Sequence, residues 1–249
     1  ETQYMQKISI VTGTLNRKDY LHDLIHNTIV ANANIELVLV DGGSTDGTLE
    51  YLDSITHPRL KLVKHGARSS YPHYMNLGIQ NASNEYICQW NDDVLLCNDW
   101  DDVLNSIDED HDAYLFNWKT GKKEDMSNAN WLHCAEMRDN GWIIINNADY
   151  PQRPGEGYKE IVMNYGIYKK DVFRKFGLYN ANYQYYCADG EMAMRAYYSG
   201  CKFKSLKDIK VCVLPAEKRA IMLNEDIVRY ASDCANYLNG NISGDFDLL

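Results

Sequence analysis

The chain has 249 residues, 45% of them hydrophobic and 24% charged, enough to bury one large α/β core. No apolar run approaches the ~18 residues of a membrane span, and no signal-peptide pattern opens the sequence. The net charge of −10 argues against a nucleic-acid partner, whose phosphates demand a basic face, but leaves room for a phosphorylated small molecule held by a metal and a few local cations.

Short apolar runs alternate with amphipathic stretches from the start of the chain. Ile8–Thr12 and Ile35–Asp41 are β-branched and almost continuously apolar, the pattern of parallel strands buried on both faces. Between them Tyr20, Leu21, Leu24, Ile25, Thr28 and Ile29 recur at helical spacing. A Gly-Gly turn follows Asp41, and Ser44, Thr45 and Asp46 are all suitable N-caps for a helix carrying Leu49, Tyr51, Leu52 and Ile55. A strand is expected at Leu60–Val63, a helix at about Tyr74–Asn81 and a strand at Glu85–Trp90. Strand alternating with helix predicts a parallel sheet with right-handed crossovers.

Beyond this point the pattern changes. Ala113–Trp118 and Trp142–Ile145 resemble strands separated by a polar, irregular stretch, and helices are expected near Lys169–Phe176, Glu191–Tyr198 and Glu217–Leu238. The last residues, NGNISGDFDLL, are expected to fray. Seven cysteines, an odd number with no C-x-x-C pair, lie in or beside apolar runs. They read as buried thiols in a reducing, cytoplasmic compartment, the cytosolic face of a membrane included. One domain over 1–249 is expected: a nucleotide-binding half (about 7–98), an acceptor half (about 99–215), and a C-terminal helix and tail (216–249).

In an open parallel sheet, ligands sit beyond the carboxyl ends of the strands. Here three strand ends carry polar loops: TGTLNR (12–17), DGGSTDGT (41–48) and NDD (91–93). TGTLNR lacks the Gly-x-Gly-x-x-Gly of a dinucleotide fold, and no Walker A motif is present. Asp41 suits either a hydrogen bond to a ribose or base, or a turn that opens the Gly-Gly corner. Adjacent carboxylates at Asp92 and Asp93 repel unless a cation sits beside them, and an all-oxygen site suits Mg²⁺ or Mn²⁺. Asp99, Asp101 and Asp102 read as the ordinary acids of a helix start. Asp189 is placed as a helix N-cap, with Glu191 and Arg195 paired at i,i+4. A carboxylate at such a helix start can also accept a proton from an incoming hydroxyl.

Taken in order, IVTGTLNR, LVDGGSTDGT, MNLGIQNA, NDDV and ADGEMAMR resemble the motifs of the family-2 glycosyltransferases of the GT-A fold, and GIYKKDVFRKFGLYN resembles the segment leading to that family's base. The likeness runs from about residue 7 to 204. It implies a GT-A-type single domain with a Rossmann-like, mostly parallel central sheet flanked by helices. It also implies an inverting transfer of a sugar from a UDP, GDP or dTDP sugar to a hydroxyl of a glycan, glycolipid or glycoprotein. By the same resemblance Thr12, Thr14 and Arg17 line the nucleotide, Asp41 holds the base or ribose, Asp92 faces the ribose or metal, Asp93 ligates Mn²⁺ or Mg²⁺, and Asp189 is the general base.

The chain departs from the family pattern in places. Leu15 stands where many members have a stacking aromatic, Asn91 replaces the first acid of D-x-D, and Ala188 replaces the Glu before the base. Met75 replaces a frequent Arg, for which Arg68 is the candidate substitute, and no histidine follows His133 to serve as a late metal ligand. Two other readings share parts of this pattern. A sugar nucleotidyltransferase would need a Gly-rich basic first loop, and a catalytically inactive glycan-binding module would be expected to have lost Asp93 or Asp189. Trp118, Trp131 and Trp142, with 19 tyrosines, supply candidate platforms for a sugar ring.

Overall fold

In the computed structural model of the chain, the described residues are 6–126, 136–137, 143–144, 161, 163–216, 223–242, 244 and 246–249. The strands are β1 (Ile8–Thr14), β2 (Ile35–Asp41), β3 (Leu60–Lys64), β4 (Tyr86–Gln89), β5 (Val94–Leu96), β6 (Ala113–Thr120), β7 (Glu136–Met137), β8 (Ile143–Ile144), β9 (Gly166–Lys169) and β10 (Phe203–Val213). The α-helices are α1 (Lys18–Ile25), α2 (Thr48–Asp53), α3 (Tyr71–Asn81), α4 (Trp100–Ser106), α5 (Lys170–Phe176), α6 (Ala188–Tyr198) and α7 (Asn224–Leu238). A π-turn extends α1 through Val30.

Eight strands form one sheet in the order β3-β2-β1-β4-β9-β6-β10-β5, and β7 pairs with β8 separately. β1 is parallel to β2 and β4, β2 to β3, and β6 to β10. β9 runs antiparallel between β4 and β6, and β5 runs antiparallel along β10. The sheet is therefore mostly parallel, as expected, with two antiparallel strands that the sequence reading did not anticipate. The strand expected at 142–145 is described only at Ile143–Ile144, and Trp131 and Trp142 lie outside the described residues. The helix expected over Glu217–Leu238 is described at Asn224–Leu238, and 217–222 lie outside the described residues.

Both faces of the sheet are covered, which explains the continuous apolar strands. Ile8 and Ile10 of β1, Leu37 and Leu39 of β2 and Cys88 of β4 pack with Leu21 and Leu24 of α1. The alternate residues Val11, Val38 and Ile87 pack with Met75 and Ile79 of α3. Each fully buried aliphatic side chain of this kind stabilises the fold by roughly 1.5–3 kcal/mol. Gly78 sits where α3 crosses the sheet, and a Cβ there would run into Val11. The glycine of MNLGI thus lets the helix approach the strands closely.

Among the described cysteines none forms a disulfide, and Cys88, Cys201, Cys212 and Cys234 are buried. No helix of the described residues is long and apolar enough to cross a membrane.

Candidate active site

The loops after β1, β2 and β4 meet at one end of the sheet. Asn16, with φ of 54°, turns the first loop back on itself. Its N–H donates to Ser44 Oγ (2.9 Å) and its Oδ1 accepts from Thr45 N (2.7 Å). Arg17 N donates to Thr48 Oγ1 at 3.2 Å. Gly13 leaves room for the Tyr74 ring, since a Cβ there would lie 2.8 Å from it; a Cβ at Gly42 would collide with the Tyr74 hydroxyl. That hydroxyl accepts from Ser69 N at 2.6 Å, so one tyrosine ties three loops together.

Asp41 is fully buried. Its carboxylate accepts from Gly43 N (2.8 Å), Ser44 N (3.0 Å) and Ser44 Oγ (2.5 Å). Ser44 Oγ in turn accepts from Asn16 N, so Asp41 anchors both the second loop and, through it, the first. Asp41 does not line the cleft that these loops surround. The N-cap of α2 is Gly47, at φ of 89°, and not Ser44, Thr45 or Asp46 as expected; Asp46, the residue before it, accepts from Thr48 N through Oδ1 at 3.0 Å.

The cleft is lined on this side by Thr12, Gly13, Leu15, Arg17, Arg68, Asp92 and Asp93. Thr12 is nearly buried, and its hydroxyl donates to Gly13 O at 2.9 Å. Thr14 is buried behind the lining and donates through Oγ1 to Asp92 Oδ2 at 2.9 Å. The Asp92 carboxyl is pushed up to about 7 by burial and by the charge of Asp93, against the pull of Arg17 and the Thr14 hydrogen bond. Arg17 lies over the Tyr20 ring at 5.1 Å, and Arg68 over the Tyr185 ring at 5.6 Å. Met75, where the family often has Arg, is fully buried in the core. Asp99, Asp101 and Asp102 sit at the start of α4, as expected of ordinary helix-start acids.

The opposite wall comes from the second half of the chain, through Asn164, Tyr165, Tyr185, Tyr186, Asp189 and Tyr230. Asp189 is half-buried in the first turn of α6. It is not the N-cap that the sequence suggested: that position is Cys187, held at φ of 66°. Asp189 Oδ1 accepts from Gly190 N (2.9 Å), and Oδ2 lies 3.4 Å from Asn164 Nδ2. Asn164 is held in turn because Gln89 Nε2 donates to the carbonyls of Met163 and Asn164, both at 2.7 Å. Gln89 Oε1 accepts a short bond from the Tyr179 hydroxyl. The Tyr71 hydroxyl, also in the cleft lining, is raised well above its ordinary range by burial and by the Asp189 charge.

Glu191 and Arg195 form the expected i,i+4 pair, but inside the protein, at 0% and 1% side-chain exposure and 2.8 Å apart. Arg195 also donates to the carbonyls of Phe176, Gly177 (3.2 Å) and Leu178 (2.7 Å), and stacks on Phe246 at 3.9 Å. The pairing follows from the spacing, whereas its burial does not.

The structure thus gathers Thr12, Arg17, Arg68, Asp92, Asp93 and Asp189 around one cleft, and places Thr14 and Asp41 behind it. Sequence reasoning missed Asn164, Tyr185, Tyr186 and Tyr230. The run YQYYC directly before ADGE was the available signal for the two adjacent tyrosines. Trp118, singled out as a platform, lines the cleft beside Tyr165, their ring centroids 6.0 Å apart.

The sequence profile described as glycosyl transferase family 2 matches residues 9–177. A curated Haemophilus influenzae protein named as an uncharacterized glycosyltransferase is 32% identical over 98 residues, which span 38% of this chain and 39% of that protein. The fold resembles the S. aureus TarS fragment solved with UDP-GlcNAc (TM-score 0.71, 18% identity, covering 97% of this chain and 68% of that one). It also resembles the mannosyltransferase PcManGT from Pyrobaculum calidifontis, solved with GDP-Man and Mn²⁺ (TM-score 0.61, 16% identity, covering 96% and 72%). With the family profile covering most of its length and this fold beneath it, the chain belongs to glycosyl transferase family 2.

Proposed function

We propose that the chain is an inverting glycosyltransferase that moves a sugar from a nucleotide-diphosphate sugar to an acceptor hydroxyl. The observation that carries this reading is the gathering of two chemical sets in one cleft: Arg17, Arg68, Asp92 and Asp93 from the first half of the chain, and Asp189 among tyrosines from the second. Arg17 and Arg68 are placed to attract an anionic diphosphate, and Thr12 and Leu15 border the space for its nucleoside. Asp41 supports this side through the turn that it anchors.

Two adjacent carboxylates of which one is pushed up to about 7 form a donor set suited to a divalent cation, Mn²⁺ or Mg²⁺. Among the described residues no third His, Cys, Asp or Glu completes a cluster, so diphosphate oxygens would share the coordination. Asp93, with Asp92 beside it, would hold the ion, which when bound supplies Lewis-acid stabilisation of the departing diphosphate.

Asp189 accepts the proton of the acceptor hydroxyl as that oxygen bonds to the anomeric carbon, and the carbon–oxygen bond to the diphosphate breaks on the opposite face. The leaving group takes the electron pair, and Arg17 and Arg68 offset its charge. The acceptor is a hydroxyl of a glycan, glycolipid or glycoprotein, with the aromatic side chains around Asp189 suited to a sugar ring. A cytoplasmic site of action, the cytosolic face of a membrane included, fits a chain whose described cysteines form no disulfide.

Incubation with UDP-, GDP- and dTDP-sugars plus Mn²⁺ tests this reading. Release of nucleoside diphosphate with at least one donor is expected. Binding without release across the panel would point to a catalytically inactive module, and formation of nucleoside triphosphate and sugar 1-phosphate from the same sugars on addition of pyrophosphate to a nucleotidyltransferase.

A further inference from the structure

Helix α7 lies beyond the residues matched by the family profile, yet one face of it grips the segment that carries Asp189. Asp226, in its first turn, is only 1% exposed. Its Oδ1 accepts from Gln184 N (2.9 Å), and its Oδ2 from Tyr185 N (3.0 Å) and Tyr186 N (3.1 Å). One buried carboxylate thus satisfies three consecutive backbone N–H groups, all three by charge-assisted bonds. One turn further along α7, the Tyr230 ring packs on Gly190, where a Cβ would stand 3.1 Å from it. Asp233 accepts from the Tyr183 hydroxyl at 2.7 Å, and the Tyr237 hydroxyl donates to Glu191 Oε1 at 2.5 Å. The spacing 226, 230, 233 and 237 is a single stripe of the helix.

The gripped segment needs such an anchor. Cys187 holds a left-handed conformation that costs a non-glycine residue free energy and persists only where its surroundings fix it. Directly after it α6 begins, with Glu191 N donating to Cys187 O at 2.8 Å. Gln184 O also accepts from Tyr71 N, the first residue of α3, at 2.8 Å, so this backbone is held by both α3 and α7.

We infer that Asp226 is a positioning residue: by holding the 184–186 backbone it sets Tyr185, Tyr186 and Asp189 for the acceptor, while leaving the donor loops 12–17 and 41–48 untouched. The inference rests on the proposed glycosyl transfer for its kinetic part only. The test uses Asp226→Asn in the full chain. Amide hydrogen exchange is read over 184–191 and over the donor loop 41–48, UDP and GDP are titrated with Mn²⁺, and hydrolysis of UDP-GlcNAc and GDP-mannose is followed with water as acceptor.

Exchange over 184–191 is expected to quicken at least tenfold with 41–48 unchanged. The hydrolysis turnover should fall at least tenfold, a larger change than that in the nucleotide dissociation constant, which moves only through the Arg68–Tyr185 contact. Unchanged exchange over 184–191, an equal rise in both segments, or wild-type hydrolysis from a loosened segment would each overturn the inference. If the wild-type chain released no nucleoside diphosphate from any of the UDP-, GDP- and dTDP-sugars of the panel, the functional reading would fail, and the exchange contrast alone would decide the positioning. Should the asparagine variant not fold, Asp226→Glu keeps the charge but displaces it by a methylene, and the same contrast is expected at about threefold.

Discussion

The two walls of the cleft are built in different ways. The wall proposed for the donor grows from the ends of adjacent parallel strands: the loops after β1 and β2 are joined by Asn16, Asp41, Ser44 and Tyr74, with Gly13 and Gly42 allowing the close approach. The wall proposed for the acceptor is braced by helices instead. Asp189 meets Asn164, its helix meets α7, and the backbone before it hangs on Asp226. The loops after β1 and β2 are thus braced by strand ends and by one another, whereas the segment before Asp189 hangs on α7. Donor binding and transfer should therefore be separable by mutation.

The comparison is broken most severely at Asp189. Asp189→Asn keeps an oxygen to accept from Gly190 N but cannot take up a proton usefully, so transfer should fall by ~10²–10⁴ while the melting temperature changes little. Steady-state rates and a thermal scan on the same preparation check both halves. Glu191→Ala attacks the same wall through its scaffold. It leaves the buried Arg195 guanidinium without its carboxylate, and a loss of ~3–5 kcal/mol in chemical denaturation is expected. A loss below ~1 kcal/mol would mean that the pair is solvated.

On the donor wall, Asp41→Ala strands two backbone N–H groups and the Ser44 hydroxyl. A destabilisation of ~3 kcal/mol is expected, with weaker nucleotide binding as a consequence of loosened loops. Unchanged stability with weakened binding would instead make Asp41 a direct nucleotide contact. The smallest effect is expected at Asp99→Ala, within ~0.5 kcal/mol and with unchanged turnover, because this helix-start side chain makes no capping hydrogen bond.

The same division governs what the sequence revealed. β1, β2 and β4 were legible because strands buried on both faces are written as apolar runs, and their polar ends mark the loops of the donor wall. β9 was not, because Gly166–Lys169 opens on a glycine and runs straight into the helix that begins at Lys170. β10 was hidden by its lysines and by a register shift between Leu206 and Lys210. Asp189 was legible as a residue, but its surroundings were not. The contacts from Asn164, Asp226 and Tyr230 cross 25 to 42 residues of sequence and leave no periodic trace. Glu191 and Arg195 show the limit most clearly: i,i+4 spacing predicts the pair but not its burial, which depends on the carbonyls of 176–178 and on Phe246.

The central claim is that Asp93 serves the donor and Asp189 the transfer step. Calorimetric titration of UDP and GDP, with and without Mn²⁺, against Asp93→Ala and Asp189→Asn side by side tests it most directly. The account predicts that Asp93→Ala loses the Mn²⁺-dependent gain in affinity, whereas Asp189→Asn binds as tightly as the wild type. Metal-dependent binding retained in Asp93→Ala, or lost in Asp189→Asn, would contradict it.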